Sequence, residues 1–205
     1  MVDMTEQARD YWDADYWDAE AEHFDDEPDH GLLDPGVRAA WERLLLPLMP
    51  TPPAVIADLG CGTGTLAVLL AQTGHTVRGV DLSDGMVAAA RRKAAAAGMT
   101  VEFSAGDVAD PPLGTAEYDV VLTRHVLWAL PDPAQALGRW VGLLRRDGLL
   151  VLVEGNWSTG AGLTATESEA LVRQWRREAH VVPLDDPALW GGPVDDERYL
   201  LVSPS

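Results

Sequence analysis

From residue 54 onward, short runs of β-branched and other apolar residues alternate with segments whose apolar positions recur every three or four residues. The first pattern is that of a strand, the second that of an amphipathic helix. Strands are predicted near 54–58 (AVIAD), 76–81 (TVRGVD), 101–107 (VEFSAGD), 118–124 (YDVVLTR), 149–155 (LLVLVEG), 180–184 (HVVPL) and 198–203 (RYLLVS). Helices are predicted between them, near 64–73, 84–97, 133–146 and 166–177. Such alternation specifies an α/β sheet with mostly parallel strands.

Several helix ends carry their own signals. Asp132 before Pro133 is an N-cap followed by proline at the first helical position, and Leu137, Trp140, Val141 and Leu144 form an apolar stripe that Gly148 follows. Thr166 and Glu169 have capping-box spacing, and Gly98 closes the alanine-rich helix. "DDPALWGGPVDDE" joins the last two strands and is too short for a helical crossover, so they should pair antiparallel at a sheet edge. Upstream, "VRAAWERLLLPL" has helical spacing, and "PLMPTPPA" connects it to the first strand.

The first thirty residues differ. "YWDADYWDAEAEHFDDEPDHG" mixes aromatic and acidic residues, and Trp12, Tyr16, Trp17, Ala21 and Phe24 could share one helical face. Acidic disordered tails are poor in aromatics, so this segment is read as a lid. The duplicated pentad YWDAD/YWDAE is too short for a repeat fold. A chain of 205 residues is expected to form one domain: lid and helix over 1–50, a binding core over 51–157, and a helix with edge strands over 158–205.

Composition narrows the function. With one cysteine, Cys61, no internal disulfide is possible, and the start has neither a basic region nor an apolar signal core, which reads as cytoplasmic. No apolar run approaches the roughly 20 residues of a membrane span. The net charge of −18 argues against nucleic acid as a partner.

The candidate chemistry lies in "VIADLGCGTGTLAVLLAQTGHTVRGVDLS", residues 55–83. A strand, a glycine-rich turn, a helix and an acid ending the next strand form the nucleotide-binding half of a doubly wound fold. Asp81 lies 21 residues past Gly60, near the spacing of an acid that holds ribose hydroxyls. Thr65 stands where a dinucleotide fingerprint needs its third glycine, and Asp58 at the strand mouth would repel a pyrophosphate. It would favour a ligand bearing ammonium or sulfonium. S-adenosylmethionine is a nucleoside of that kind.

"DLGCGTGTLAVLLAQTGHTVRGVDLSDGMVAAAR", "GDVADPPLGTAEYDVVLTRHVLWALPDP" and "LLRRDGLLVLVEG" together resemble the successive motifs of class I S-adenosylmethionine-dependent methyltransferases, in the small-molecule branch that includes the ubiquinone/menaquinone-type enzymes. The resemblance covers Val55 to Trp157 and, more weakly, the edge pair. It implies a Rossmann-like seven-stranded sheet of order 3-2-1-4-5-7-6 with an antiparallel last strand. It also implies S-adenosylmethionine as donor, S-adenosylhomocysteine as product and a small-molecule acceptor, with the protein a monomer or homodimer.

The resemblance further implies that Asp58, Gly60, Cys61, Gly62 and Gly64 surround the methionine part and that Asp81 holds the ribose. Leu82 and Met86 would pack on the adenine, Gly106, Asp107 and Val108 would read its amino edge, and Thr123 and Arg124 would border the methyl group. For Asp107 a turn residue is the alternative reading.

Methyl transfer chiefly needs an acceptor held in line, and positioning can supply on the order of 7–11 kcal/mol. If a proton must leave, His125, just past the fourth strand, is the first candidate base, and His30 in "PDHG" the second. Tyr16, Trp17, His23 and Trp128 are candidates for the lid or acceptor wall, whereas His75 and His180 read as structural or solvated. Asp185-Asp186 and Asp195-Asp196 read as turns, so no metal is expected. The alternatives are a protein of this fold that binds S-adenosylmethionine for another reaction or as a sensor, and a nicotinamide oxidoreductase, which Asp58 and Thr65 oppose.

Overall fold

The strand-forming runs assemble into one seven-stranded sheet of order β3-β2-β1-β4-β5-β7-β6 in a computed structural model that describes residues 13–205. The strands are β1 (Val55–Leu59), β2 (Thr76–Asp81), β3 (Glu102–Ala105), β4 (Tyr118–Arg124), β5 (Leu144–Asn156), β6 (His180–Pro183) and β7 (Glu197–Ser203). β1 to β5 pair in parallel, while β7 runs antiparallel to both β5 and β6. The expected order and edge pairing are therefore observed.

Period-two alternation gives each strand two apolar faces. Ile56, Val120, Leu122, Val151 and Val153 point to one side, where α3 (Pro35–Leu45), α4 (Thr65–Gln72) and α5 (Asp84–Ala96) cover them. Ala57, Leu59, Val121, Leu150 and Leu152 point to the other, against α6 (Pro133–Leu143) and α7 (Ala165–Val172). Trp41 of α3 and Trp140 of α6 are both fully buried, and their indoles donate to Leu189 O (2.8 Å) and Val108 O (2.7 Å).

Four local expectations change. The first helix, α1 (Ala14–Glu20), stops before Phe24, which sits in a separate 3₁₀ turn, and α2 (Pro28–Gly31) is a further short turn. The aromatic residues thus do not share one continuous helix, and Trp12 lies outside the described residues. α6 ends at Leu143, because Leu144 pairs with Tyr118 and begins β5.

The capping box forms at Thr164 and Glu167, two residues before the expected pair. α7 then ends at Val172, since Arg173 turns to donate to Arg177 O and Ala179 O, and Trp175 folds back to donate to Ala134 O. β3 stops at Ala105 because Asp107 Oδ1 accepts from Ala109 N at 2.7 Å and turns the chain. Among the described residues no helix is long and apolar enough to cross a membrane.

The carboxyl ends of β4 and β5 are tied together by a fully buried acid. Glu154 Oε1 accepts from Val126 N (3.0 Å) and Leu127 N (2.8 Å), fixing the loop that carries His125. Burial raises the Glu154 carboxyl to about 8, so the folded protein holds a proton there that the unfolded chain releases near its ordinary value. Stability contributed by the neutral form is lost as pH rises between those values, at a slope approaching roughly 1.4 kcal/mol per pH unit. Urea unfolding at pH 5 and pH 8 should show wild type losing more stability over that interval than Glu154→Gln.

Candidate functional site

The turn after β1 is shaped for close approach to a ligand. Gly60, Gly62 and Gly64 have φ of 68°, 53° and 78°, the left-handed region that glycine adopts without strain. Gly60 N and Cys61 N donate to Val80 O at 2.8 and 3.1 Å, holding the turn against β2. At the end of β2, Asp81 accepts from Gly62 N (2.7 Å) and Ser83 N (3.0 Å). Burial raises its carboxyl, and these bonds oppose the rise.

A cavity of about 250 Å³ opens over this turn. On the donor side it is lined by Gly60, Cys61, Gly62, Asp81, Leu82, Met86 and Val108, so the expected ribose acid and adenine-packing residues share one wall. Trp17, Phe24 and His30 from the N-terminal segment and Arg124, His125, Trp128 and Trp157 from the core also line it.

The remaining candidates do not line the cavity. Asp58 is 2% exposed, on the sheet face that carries Ile56, and burial lifts its carboxyl to about 7, with Arg124 opposing and Asp81 adding to the rise. Gly64 caps α4, and Thr123 is fully buried. Gly106 N donates to Asp81 O, and Asp107 is exposed in its turn. Tyr16 is exposed, and His23 sits at the surface beside Asp26. His75 is buried and accepts from Ala54 N, and His180 is exposed beside Glu178.

The segment 13–31 lies across the donor side. Asp18 accepts from the Ser83 hydroxyl and from Gly85 N (2.8 Å) at the start of α5. Asp25 accepts from Thr63 Oγ1 (2.5 Å) and Lys93 Nζ (2.8 Å), and Lys93 also donates to Thr65 Oγ1. Phe24 packs on the glycine turn so closely that a Cβ on Gly62 would stand 2.9 Å from its ring.

At the acceptor end, Arg124 donates to the main-chain carbonyls of Asp29 and His30, and its guanidinium lies 5.1 Å from the centre of the Trp41 ring. His125 adopts φ 59°, a conformation rare for a residue with a Cβ. Its ring meets Trp157 edge-on at 5.2 Å and stacks on Trp190 at 6.1 Å, while His30 stacks on Phe24 at 4.3 Å. Burial lowers His30 to about 4 and His125 to about 3. Burial would raise Asp29, but Arg124, first among its charged neighbours, brings it below the ordinary range.

Sequence reasoning missed Trp157, Trp190, Asp25 and Lys93 as parts of this region. Trp157 follows the carboxyl end of β5, the edge where open α/β sheets present ligands, and that position was a usable signal. Nothing local marks the other three.

Residues 57–152 match the family described as "Methyltransferase domain". The demethylmenaquinone methyltransferase of Thermus thermophilus is 35% identical over 126 residues, covering 60% of this chain and 57% of the relative. The nocamycin O-methyltransferase of Saccharothrix syringae is 32% identical over 142 residues, covering 67% and 47%. The chain thus spans about half the length of these curated relatives. The magnesium protoporphyrin IX methyltransferase of Synechocystis, solved with bound SAH (S-adenosylhomocysteine), superimposes with a TM-score of 0.66 at 21% identity, over 82% of this chain and 80% of the other, a likeness of fold. Residues 57–152 therefore belong to the methyltransferase-domain family, and the sheet order and the glycine turn facing Asp81 are in keeping with that match.

Proposed function

We propose that this protein transfers the methyl group of S-adenosylmethionine to a small-molecule acceptor held in the same cavity. The observation that carries this reading is the continuity of the cavity, from the glycine turn and Asp81 to the aromatic residues and Arg124. The chain's own residues suit the donor. Asp81 offers a buried carboxylate to a hydroxyl pair, Leu82, Met86 and Val108 offer an apolar slot for a base, and the lid's Trp17 and Phe24 place ring faces where a sulfonium gains cation–π attraction.

The donor supplies an activated methyl carbon. The acceptor's lone pair bonds to it as the carbon–sulfur bond breaks, and the electron pair remains on a neutral thioether. The protein's part is to exclude water and align the acceptor. General base work is best done by a group that titrates near the working pH, and His30 and His125 titrate far below it. We therefore assign the acceleration to placement and not to proton abstraction by either ring.

The test is thermal unfolding followed by a turnover assay. At 100 times its Kd, S-adenosylhomocysteine should stabilise the fold by about 2.7 kcal/mol, a rise of roughly 5–10 °C, whereas NAD should give none. Formation of S-adenosylhomocysteine with an added metabolite acceptor completes the demonstration. Absence of any shift with millimolar S-adenosylhomocysteine would reject the donor site.

A further inference from the structure

Asp29 and His30 of the lid face His125, just past the end of β4. His30 Nε2 lies 3.9 Å and His125 Nδ1 4.0 Å from the same atom, Asp29 Oδ2. One nitrogen or oxygen from each of the three residues falls within 4.8 Å of the others. Asp29 is 7% exposed, and its Oδ2 is buried with no hydrogen-bond partner. Protein N–H···O bonds centre near about 2.9–3.0 Å, so a simple polar network would have closed these gaps, and a buried acceptor left unsatisfied is costly. His125 is moreover presented from a left-handed backbone, a strain that clusters at working sites.

Two imidazoles and one carboxylate around a common gap form the donor set of a catalytic-type zinc site, which takes three protein ligands and leaves a position open. We propose that Asp29, His30 and His125 bind a divalent transition-metal ion of the zinc class, assembled where the lid meets the core. Sequence analysis expected no metal, because the ligands come from segments far apart in the chain. Metal–ligand bonds of about 2.0–2.2 Å put tetrahedral ligands roughly 3.4 Å apart. Binding therefore draws each imidazole toward Asp29 by about half an ångström and the two imidazoles together by up to about 1.4 Å, a movement open to a lid docked largely through side-chain contacts.

Two cations oppose the site: Arg124, bonded to the carbonyls of both lid ligands, and Arg198, which also acts on Asp29 and His125. Asp25, Asp29 and Asp58 counter the charge of Arg124. His30 and His125 line the cavity, so an ion they hold would lie at its edge, within reach of an acceptor oxygen. That use rests on the proposed methyl transfer, but the existence of the site does not.

The experiment titrates Co²⁺ into untagged, chelator-treated full-length protein without donor. Visible absorption of four- or five-coordinate Co²⁺ should saturate near one equivalent, and Zn²⁺ should displace it. Asp29→Asn, His30→Gln and His125→Asn should each weaken Co²⁺ binding by about tenfold or more, while circular dichroism and cooperative urea unfolding show that each variant is folded. X-ray absorption of Zn²⁺-loaded wild type, which needs no variant, should show two imidazoles on the metal. Absence of the Co²⁺ spectrum, unchanged affinity in folded variants, or a zinc shell without imidazole would each overturn the site. S-adenosylhomocysteine binding to the metal-free protein is measured separately, so loss of the donor site and loss of the metal site give different results.

Discussion

Asp81→Ala should weaken S-adenosylhomocysteine binding by about a hundredfold. A carboxylate holding two ribose hydroxyls makes charge-assisted bonds worth about 1.5–3 kcal/mol each, and each 1.4 kcal/mol is roughly tenfold in affinity. The same carboxylate receives Gly62 N and Ser83 N, so its removal also loosens the glycine turn, which Gly60 N and Cys61 N still tie to Val80 O. Isothermal titration on the folded variant measures the loss. An affinity within threefold of wild type would place the nucleoside somewhere else on the protein.

Trp41→Ala should produce the largest loss of stability. The side chain is fully buried, its indole donates to Leu189 O, and it meets Trp190 edge-on at 5.6 Å. Truncating a buried Trp typically costs about 3–5 kcal/mol, which for a chain of this size lowers the melting temperature by roughly 10 °C. Trp41 also lies beneath Arg124, so the variant should lose affinity for ligands of the acceptor end before it unfolds. Trp41→Phe, which keeps most of the apolar contact but not the indole donor, should recover about half of the stability. A loss below about 1 kcal/mol in the alanine variant would mean that α3 is not packed as described.

What the sequence revealed follows the distance over which each feature is encoded. The sheet was legible because strand faces alternate within a few residues and the connections are short. Capping was legible in kind but not in register. The stretch from Thr164 to Glu169 contains two overlapping frames with the same spacing, and the bond from Leu163 N to Gly155 O ends the preceding turn just before the first. Leu144 fits the helical stripe of α6 as well as it fits a strand, and pairing with Tyr118 decided between them.

The donor side was readable because the glycine turn, Asp81 and Met86 lie within one strand–helix–strand unit and the helix that follows it. The acceptor side was not. Its rings come from His30, His125, Trp128 and Trp157, and Trp190 backs it from the loop before β7. Only the folded sheet makes them neighbours.

The lid contacts made by Asp18, Phe24 and Asp25 fall on the very turn and helix start that would hold the nucleoside. A molecule lodged between that turn and the indoles is covered in part by a short peptide segment. Under the proposed methyl transfer, a variant that loosens this strip should shorten the dwell time of the spent donor and speed the exchange of both small molecules together.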